Sequence, residues 1–343
     1  MKSLVMKYKL ICLLISASLL VACEKDPIDT KGNAISFNNS PARAAVVPDV
    51  DNGLKDNARV WGYYVNDSKT TWVWGNATAG EKANLKITGE DNNLTGELII
   101  NGNTKYWFGG EYDFFSIYSE KCKNGALEPT FSDGTLSFDY DISDQKELRY
   151  ACHLNTVGTT TRTDKVDFNY QHLLSRVKFQ GFSTDSENPI TVTSVSVANV
   201  PSKATISMNI GDIQETDKKS LTAAYTLFTT DKFTISNSST DGITCNNTAG
   251  NIVLDKMVFP SDEALKALTF SVTYNTSSEK GKTKTATLTG YNFEAGKSYI
   301  LKFKIQPSGP IIFGDVTVTP WNYVTGTGQD DGITGEFDFP TEP

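Results

Sequence analysis

Histidine is scarce in this chain of 343 residues: only His153 and His172 are present. That leaves little for general acid–base catalysis or for activating a nucleophile. No glycine-rich phosphate loop appears, and convincing helical periodicity is almost absent. Beyond the N-terminus no apolar run is long enough to cross a bilayer as a helix. Of five cysteines, Cys12 and Cys23 belong to the N-terminal segment. Cys122, Cys152 and Cys245 remain, an odd number without close spacing, so neither a disulfide framework nor a metal-ligand set is expected. Cys152 alternates with Tyr150 and Leu154 and reads as a buried thiol. Basic residues are also in deficit, 32 against 40 acidic for a net charge of −8. Removing Lys2, Lys7 and Lys9 with a signal peptide leaves 29 against 40, or −11. So acidic a surface is a poor partner for nucleic-acid phosphates.

The remaining signals for enzyme chemistry are weak. A His172–Ser175 dyad is formally present, but no acidic third member lies nearby in sequence, and a histidine hydrogen-bonded in a buried strand turn accounts for it better. Asp133, Asp139, Asp141 and Asp144 read as solvated strand ends, because nothing fixes their separation as a glycosidase pair requires. Asp49 to Gly53 resembles half a calcium loop, with glycine where a third oxygen ligand should fall. No catalytic residue, metal or cofactor is therefore expected. Trp61, Trp72, Trp74 and Trp107 are concentrated in the first half, with Trp72 and Trp74 on one face of one strand. Aromatic platforms stack sugars, so a surface glycan-binding lipoprotein that does not polymerise is the alternative reading, set against core packing.

What is present begins at the N-terminus. Lys2, Lys7 and Lys9 form a basic region, and Leu10 to Val21 is an apolar stretch too short to span a bilayer comfortably. It ends in Leu20-Val21-Ala22-Cys23, which reads as a bacterial lipobox and predicts a signal peptide cut between Ala22 and Cys23, with Cys23 as the lipidated first residue. Several acyl chains on one residue suffice for stable anchoring in the outer membrane. The acidic tether Glu24-Lys25-Asp26 resembles an export signal to the cell surface.

Tyr, Phe, Thr, Asn, Ser and Gly are plentiful, and short alternating runs recur between turn residues. Ile35 and Phe37 share one face of an early strand. Val60 to Val65, Thr71 to Trp74, Asn84 to Ile87 and Leu94 to Ile100 follow. Asn101-Gly102 supplies a type I′ hairpin signal, with Tyr106 to Phe108 returning. Tyr112 to Tyr118 is apolar on both faces, as expected of a central strand between two layers. Thr135 to Asp141 and Leu148 to Leu154 continue the series. In the second half, Ile190 to Val197, Ala204 to Met208 and Ala223 to Phe228 read as strands. Phe270, Val272 and Tyr274 share one face, as do Tyr299, Leu301, Phe303 and Ile305, and Ile311 to Val318 leads to Trp321. Ser261 to Leu268 is the one helix candidate. The pattern predicts an all-β protein with two tandem antiparallel β-sandwich domains, transthyretin-like, after a lipoprotein signal peptide. The expected divisions are residues 1–22 (signal peptide), 23–33 (tether), 34–165 and 166–321 (two sandwiches) and 322–343 (C-terminal tail or donor strand).

The segment between them, Phe168 to Phe179, changes phase. Phe168, Tyr170, His172 and Leu174 fall on one face at period two, whereas Val177 and Phe179 fall on the other. A bulge or single turn must lie at Leu173 to Arg176. This pattern, aromatic-x-aromatic-x-His172-x-Leu-Ser175-Arg176-Val-x-Phe, resembles the central motif of the fimbrillin-like proteins, the subunits of type V pili. Further anchors fall in the same order: the lipobox, Ile35 and Phe37, Tyr112 to Tyr118, Ala295-Gly296-Lys297-Ser298-Tyr299, and Val316, Val318 and Trp321.

The resemblance implies a structural or adhesive pilus subunit on the cell surface, with no catalytic mechanism. It implies assembly by strand exchange: an arginine-specific protease cuts after the first strand, and a strand from a neighbouring subunit fills the groove. The matching position is Arg43, with Ala44 as the new terminus, and small neighbours and Pro41 suit an exposed loop. Arg59 is the rival. Phe337 and Phe339 alternate in the tail and are the donor-strand candidates. Partners are then other pilus subunits by β-strand addition, the outer membrane through the N-terminal lipid, and host or bacterial surface ligands.

Overall fold

The structure, a computed structural model, describes residues 32–39, 56–66, 69–88, 95–132, 134–184, 188–209, 222–261 and 268–321. Cys23, Ala22, Arg43, Ala44, Phe337, Phe339 and the Asp49 to Gly53 stretch lie outside the described residues. Among the described residues there is no α-helix. The helical element they contain is a short 3-10 turn, Glu120–Asn124. Most of the helix candidate, 262–267, also lies outside them, and Leu268 opens a strand, Leu268–Asn275.

Four sheets make two sandwiches. The large sheet runs in the order Val166–Phe168, Phe37–Asn39, Thr95–Ile100, Glu81–Thr88, Ala58–Asn66, Gly110–Tyr118, Arg149–Gly158, Gln171–His172, with Lys69–Trp74 also paired to Ala58–Asn66. A cover sheet of Thr130–Ser132, Thr135–Asp141, Lys203–Asn209 and Thr222–Leu227 closes the first sandwich. The second sandwich packs a motif sheet (Asn251–Val258, Ser175–Ser183, Lys297–Ile305, Ile311–Pro320) against an outer sheet (Lys232–Cys245, Ile190–Pro201, Leu268–Asn275, Lys282–Leu288).

The sheets do not divide where the sequence suggests. Lys203–Asn209 and Thr222–Leu227, placed by sequence order in the second sandwich, pair with Thr135–Asp141 in the first. Val166–Phe168 and Gln171–His172 likewise belong to the large sheet. Alternation shows which face of a strand is buried but is silent on which partner covers it.

Three apolar cores result. One lies within the curl of the large sheet and contains Phe37, Trp74, Trp107, Phe114, Phe168 and Tyr170. The second, between large and cover sheets, contains Trp61, Phe115, Phe138, Ile206, Leu173 and Leu174. The third fills the second sandwich, with Val177, Phe179, Val195, Phe270, Tyr299 and Phe303. Gly110–Tyr118 serves two of them, which is why it is apolar on both faces: Phe114 points into the first core and Phe115 into the second.

The stretch Phe168 to Phe179 visits all three cores in turn. Its phase change is a bend at Leu173 and Leu174, between the Gln171–His172 bridge and Ser175–Ser183. The period-two face thus ends early: Leu173 and Leu174 both enter the second core.

Other local expectations are corrected by tertiary packing. Asn101-Gly102 does not close a hairpin; Thr95–Ile100 pairs with Glu81–Thr88 and Phe37–Asn39. The following segment instead reaches back to the first strand, with an Ala34–Tyr106 bridge, because Trp107 is drawn fully into the core. Trp72 and Trp74 do not share a face. Pairing shifts between Gly62 and Tyr63, so Val73 is a bulge residue that turns with Trp74 into the first core, while Trp72 packs on Tyr63 and Phe131. Trp61, Trp74 and Trp107 are all buried, as the core-packing reading expects, so these three side chains offer no sugar platform. Lys232–Cys245, Asn251–Val258 and Lys282–Leu288 were not legible as strands. The first and last are edge strands of the outer sheet and rich in Ser, Thr or Asn, without an alternating apolar face to give them away.

Candidate functional site at the first strand and the junction

The first strand is held on both sides. Phe37 is opposite Leu98 in an antiparallel pair and opposite Val166 in a parallel one. Val166 N donates to Ser36 O at 2.8 Å, Ile35 N to Lys105 O at 2.9 Å, and Trp107 N to Asn33 O at 2.9 Å. The strand therefore lies in a slot with a backbone edge along each wall. Its apolar side chains fill pockets two residues apart: Ile35 is 6% exposed and Phe37 2%. Phe37 stacks on Phe168 with ring centres 5.0 Å apart, and meets Phe114 edge-on at 5.4 Å and Trp74 at 5.5 Å. Val166–Phe168 sits at the sheet's end, so the first strand is its neighbour in that sheet. Arg162, the lone arginine of the threonine loop, lies over Trp107 at 4.9 Å in a cation–π contact.

Arg59, weighed as a cleavage site, is 2% exposed within Ala58–Asn66. Its guanidinium donates to Cys122 O at 2.8 Å and pairs with Glu128 at 3.0 Å. A buried arginine inside a strand paired on both sides offers a protease no accessible backbone.

The motif residues converge where the two sandwiches meet. His172 is buried and its ring stacks on Trp321 at 3.8 Å, nearly parallel. His172 Nδ1 is 2.7 Å from Glu147 Oε1, and the same oxygen takes the Arg149 guanidinium at 2.8 Å. Ser175 Oγ donates to Glu294 O at 2.7 Å, so its hydroxyl serves the junction rather than a dyad. Gly296 has φ +68, which a side chain adopts only with strain; its N–H donates to Leu174 O, and its carbonyl accepts from Trp321 N at 2.8 Å. Tyr299 OH closes the same turn by accepting from Glu294 N at 2.7 Å. Arg176 grips Asp255 with two bonds of 2.8 and 2.6 Å.

Glu147 and Arg149 come from the first half of the chain, which is why sequence proximity to His172 missed them. The available signal was a charge on either side of buried Leu148 at a strand entrance. Burial pushes the His172 pKa below its ordinary value, more than Glu147 raises it. For Glu147 burial acts upward, but the His172 hydrogen bond and the Arg149 charge outweigh it and hold the carboxyl at about 2. Gln145 adds a further clamp: its amide donates to Met257 O at 3.1 Å and accepts from Met257 N at 2.7 Å, completing an edge of the motif sheet. A cleft of about 400 Å³ opens beside this cluster, lined by Lys146, Arg149, Arg176 and Trp321 among others. Its charges are matched locally, as in Lys146–Glu120 at 2.5 Å. The aspartates are similarly engaged: Asp139 accepts from Thr205, Asp141 from Ser143 N, and Asp144 pairs with Lys121. Asp133 lies outside the described residues.

The fimbrillin-like family model matches residues 43–321, and the chain belongs to that family. The match takes in the junction motif from His172 to Trp321. A fimbrial protein from Bacteroides vulgatus is similar in fold at 13% identity and a TM-score of 0.54, over 84% of this chain and 99% of its own. A Bacteroides uniformis protein provisionally named for cell adhesion is 19% identical with a TM-score of 0.50, over 85% of this chain and 98% of its own. At such identities the likeness is one of fold. Comparison with curated proteins returned no match.

Proposed function

We propose that this chain is a structural or adhesive subunit of a cell-surface type V pilus, and that it assembles by proteolysis-triggered strand exchange. The observation that carries this reading is the slot around Ile35 and Phe37. Withdrawing the first strand uncovers two unpaired backbone edges and two apolar pockets at period two, a template for one inserted strand. The withdrawn side chains account for roughly 1.5–3 kcal/mol each of apolar burial, which a replacement strand must match.

Arg43 is the cleavage site in this reading, with Ala44 as the mature terminus. It falls after the first strand and before Ala58–Asn66, so a cut there frees that strand and leaves the rest of the large sheet joined. The burial of Arg59 favours Arg43 over that rival. The donor is the C-terminal tail of a neighbouring subunit, where Phe337 and Phe339 repeat the spacing of Ile35 and Phe37. Before maturation the chain is a lipoprotein cut between Ala22 and Cys23 and anchored in the outer membrane through Cys23. No catalytic role is assigned.

The test is to treat the purified precursor with an arginine-specific protease and follow mass, N-terminal residue and multimer formation. The reading expects Ala44 at the terminus and a heat-labile ladder of multimers. A synthetic Gly335–Pro343 peptide should bind the cut chain and block the ladder. Surface-borne protein carrying lipidated Cys23 throughout, with monomer alone, would sink it.

A further inference from the structure

The slot of the first strand is entered through a narrow clasp. Asn33 N donates to Thr160 O at 3.2 Å, and Trp107 N donates to Asn33 O at 2.9 Å. Gly32, the residue just before, passes so near Trp107 that a Cβ built on it would stand 2.3 Å from the Trp107 carbonyl oxygen and 3.4 Å from Thr160 Cα. A side chain here therefore meets backbone, not the yielding tip of another side chain. The Trp107 backbone is braced: its indole is fully buried and packs edge-on against Tyr112 at 5.0 Å and Phe114 at 6.0 Å. Arg162 lies over the same ring and donates to Val157 O at 2.8 Å, which ties the threonine loop to the strand it leaves.

We propose that this clasp is a third recognition position of the slot and that it admits only glycine. A strand lying there is then read at three points. Glycine passes the clasp, an apolar residue three places on fills the Ile35 pocket, and an aromatic two further on enters between Phe168, Phe114 and Trp74. Two of these points select by attraction and the clasp selects by exclusion, the combination that separates a right partner from a near one.

The chain's own first strand, Gly32-Asn33-Ala34-Ile35-Ser36-Phe37, meets all three points. The tail, running the same way, meets two. With Phe337 and Phe339 in the two pockets, Thr334 falls at the clasp. With Gly332 at the clasp and Phe337 in the Phe37 pocket, Gly335 leaves the Ile35 pocket empty. A covalently held first strand therefore outcompetes a neighbour's tail, and exchange waits for the cut that removes its advantage in local concentration. The partner that fits best is a strand with glycine at the clasp and apolar residues three and five places on. The donor arm of this proposal rests on the strand-exchange reading above; retention of the chain's own first strand does not.

The test uses the full chain carrying Cys23→Ala to avoid lipid, uncut, compared with the same chain bearing Gly32→Ala or Asn33→Ala, the Asn33 side chain being exposed. Hydrogen exchange at the Ile35 and Phe37 amides should rise about tenfold or more in Gly32→Ala and stay near the parent in Asn33→Ala, with the second sandwich unchanged in both. After the cut at Arg43, labelled peptides compete for the slot of the parent chain. A peptide of residues 32–39 should bind, and its Gly32→Ala form should bind about tenfold or more weakly. A tail peptide of residues 332–343 should gain about tenfold from Thr334→Gly. Where the Gly32→Ala chain does not fold, the peptides on the parent chain decide. Equal exchange in Gly32→Ala and the parent would overturn the clasp whether or not strands exchange. Peptides that bind alike with glycine or alanine at the clasp would overturn its role in choosing a donor. Faster exchange in Gly32→Ala with no binding by any peptide would defeat the strand-exchange reading and leave the clasp standing.

Discussion

The first strand and the junction are both places where distant parts of the chain meet, yet they are built in opposite ways. The slot is held by one strand's backbone bonds and two side chains, Ile35 and Phe37, in pockets of large aromatics. In the proposed strand exchange, a strand with apolar residues two apart takes that place. The junction is held by dissimilar, position-specific contacts: His172 on Trp321, Ser175 on Glu294 O, Gly296 on Leu174 O and Gln145 on Met257. No single strand can substitute for that set. Repetitive backbone pairing makes an exchangeable site; irregular side-chain geometry makes a permanent one.

Four changes test that contrast, from the largest expected effect downward. Phe37→Ala should destabilise the uncleaved chain by about 3–5 kcal/mol in denaturant unfolding, because it empties a closed aromatic pocket. In a strand-exchanged multimer the same change should have no effect, since that strand has left. Glu147→Gln should cost about 2 kcal/mol in both states, because it leaves the buried Arg149 guanidinium without its carboxylate. Gly296→Ala, at φ +68, should cost about 1–2 kcal/mol with little change in the slot. Arg176→Ala removes a partly exposed pair with Asp255 and should cost under about 1 kcal/mol, readable mainly at low salt.

The junction should also respond to acid where the slot does not. His172 binds its proton less readily folded than unfolded, so its contribution is complete above its ordinary pKa of 6.5 and is lost as pH falls below that value. Glu147 adds a second loss as pH falls from its ordinary 4.5 towards about 2. Thermal melts of the parent and His172→Gln chains across pH 4–8 should converge at the acid end. Parallel curves would show that the buried histidine does not set this dependence.

Strand faces were largely readable where alternation is strict. Thr135–Asp141 and the inward row of Tyr299, Leu301, Phe303 and Ile305 stand as expected. Reading failed where a single residue shifts phase, as Val73 does between Trp72 and Trp74, or where a local turn signal loses to a buried side chain, as Asn101-Gly102 loses to Trp107. The break inside Phe168 to Phe179 was legible because both flanking runs are apolar. Its partners Glu147 and Arg149 were not, since nothing in a linear chain marks which distant carboxylate a buried histidine will meet.

Alternating short runs without helical period allow little but layered sheets, and the family match over residues 43–321 takes in the motif from His172 to Trp321. The tertiary structure alone decided the pairings. Lys203–Asn209 crosses to Thr135–Asp141, and Val166–Phe168 runs parallel beside Phe37–Asn39. Side-chain pattern is a local property that fixes which face is buried, whereas backbone hydrogen bonds are nearly alike for every strand. The choice of neighbour is therefore settled only when whole faces compete to be covered.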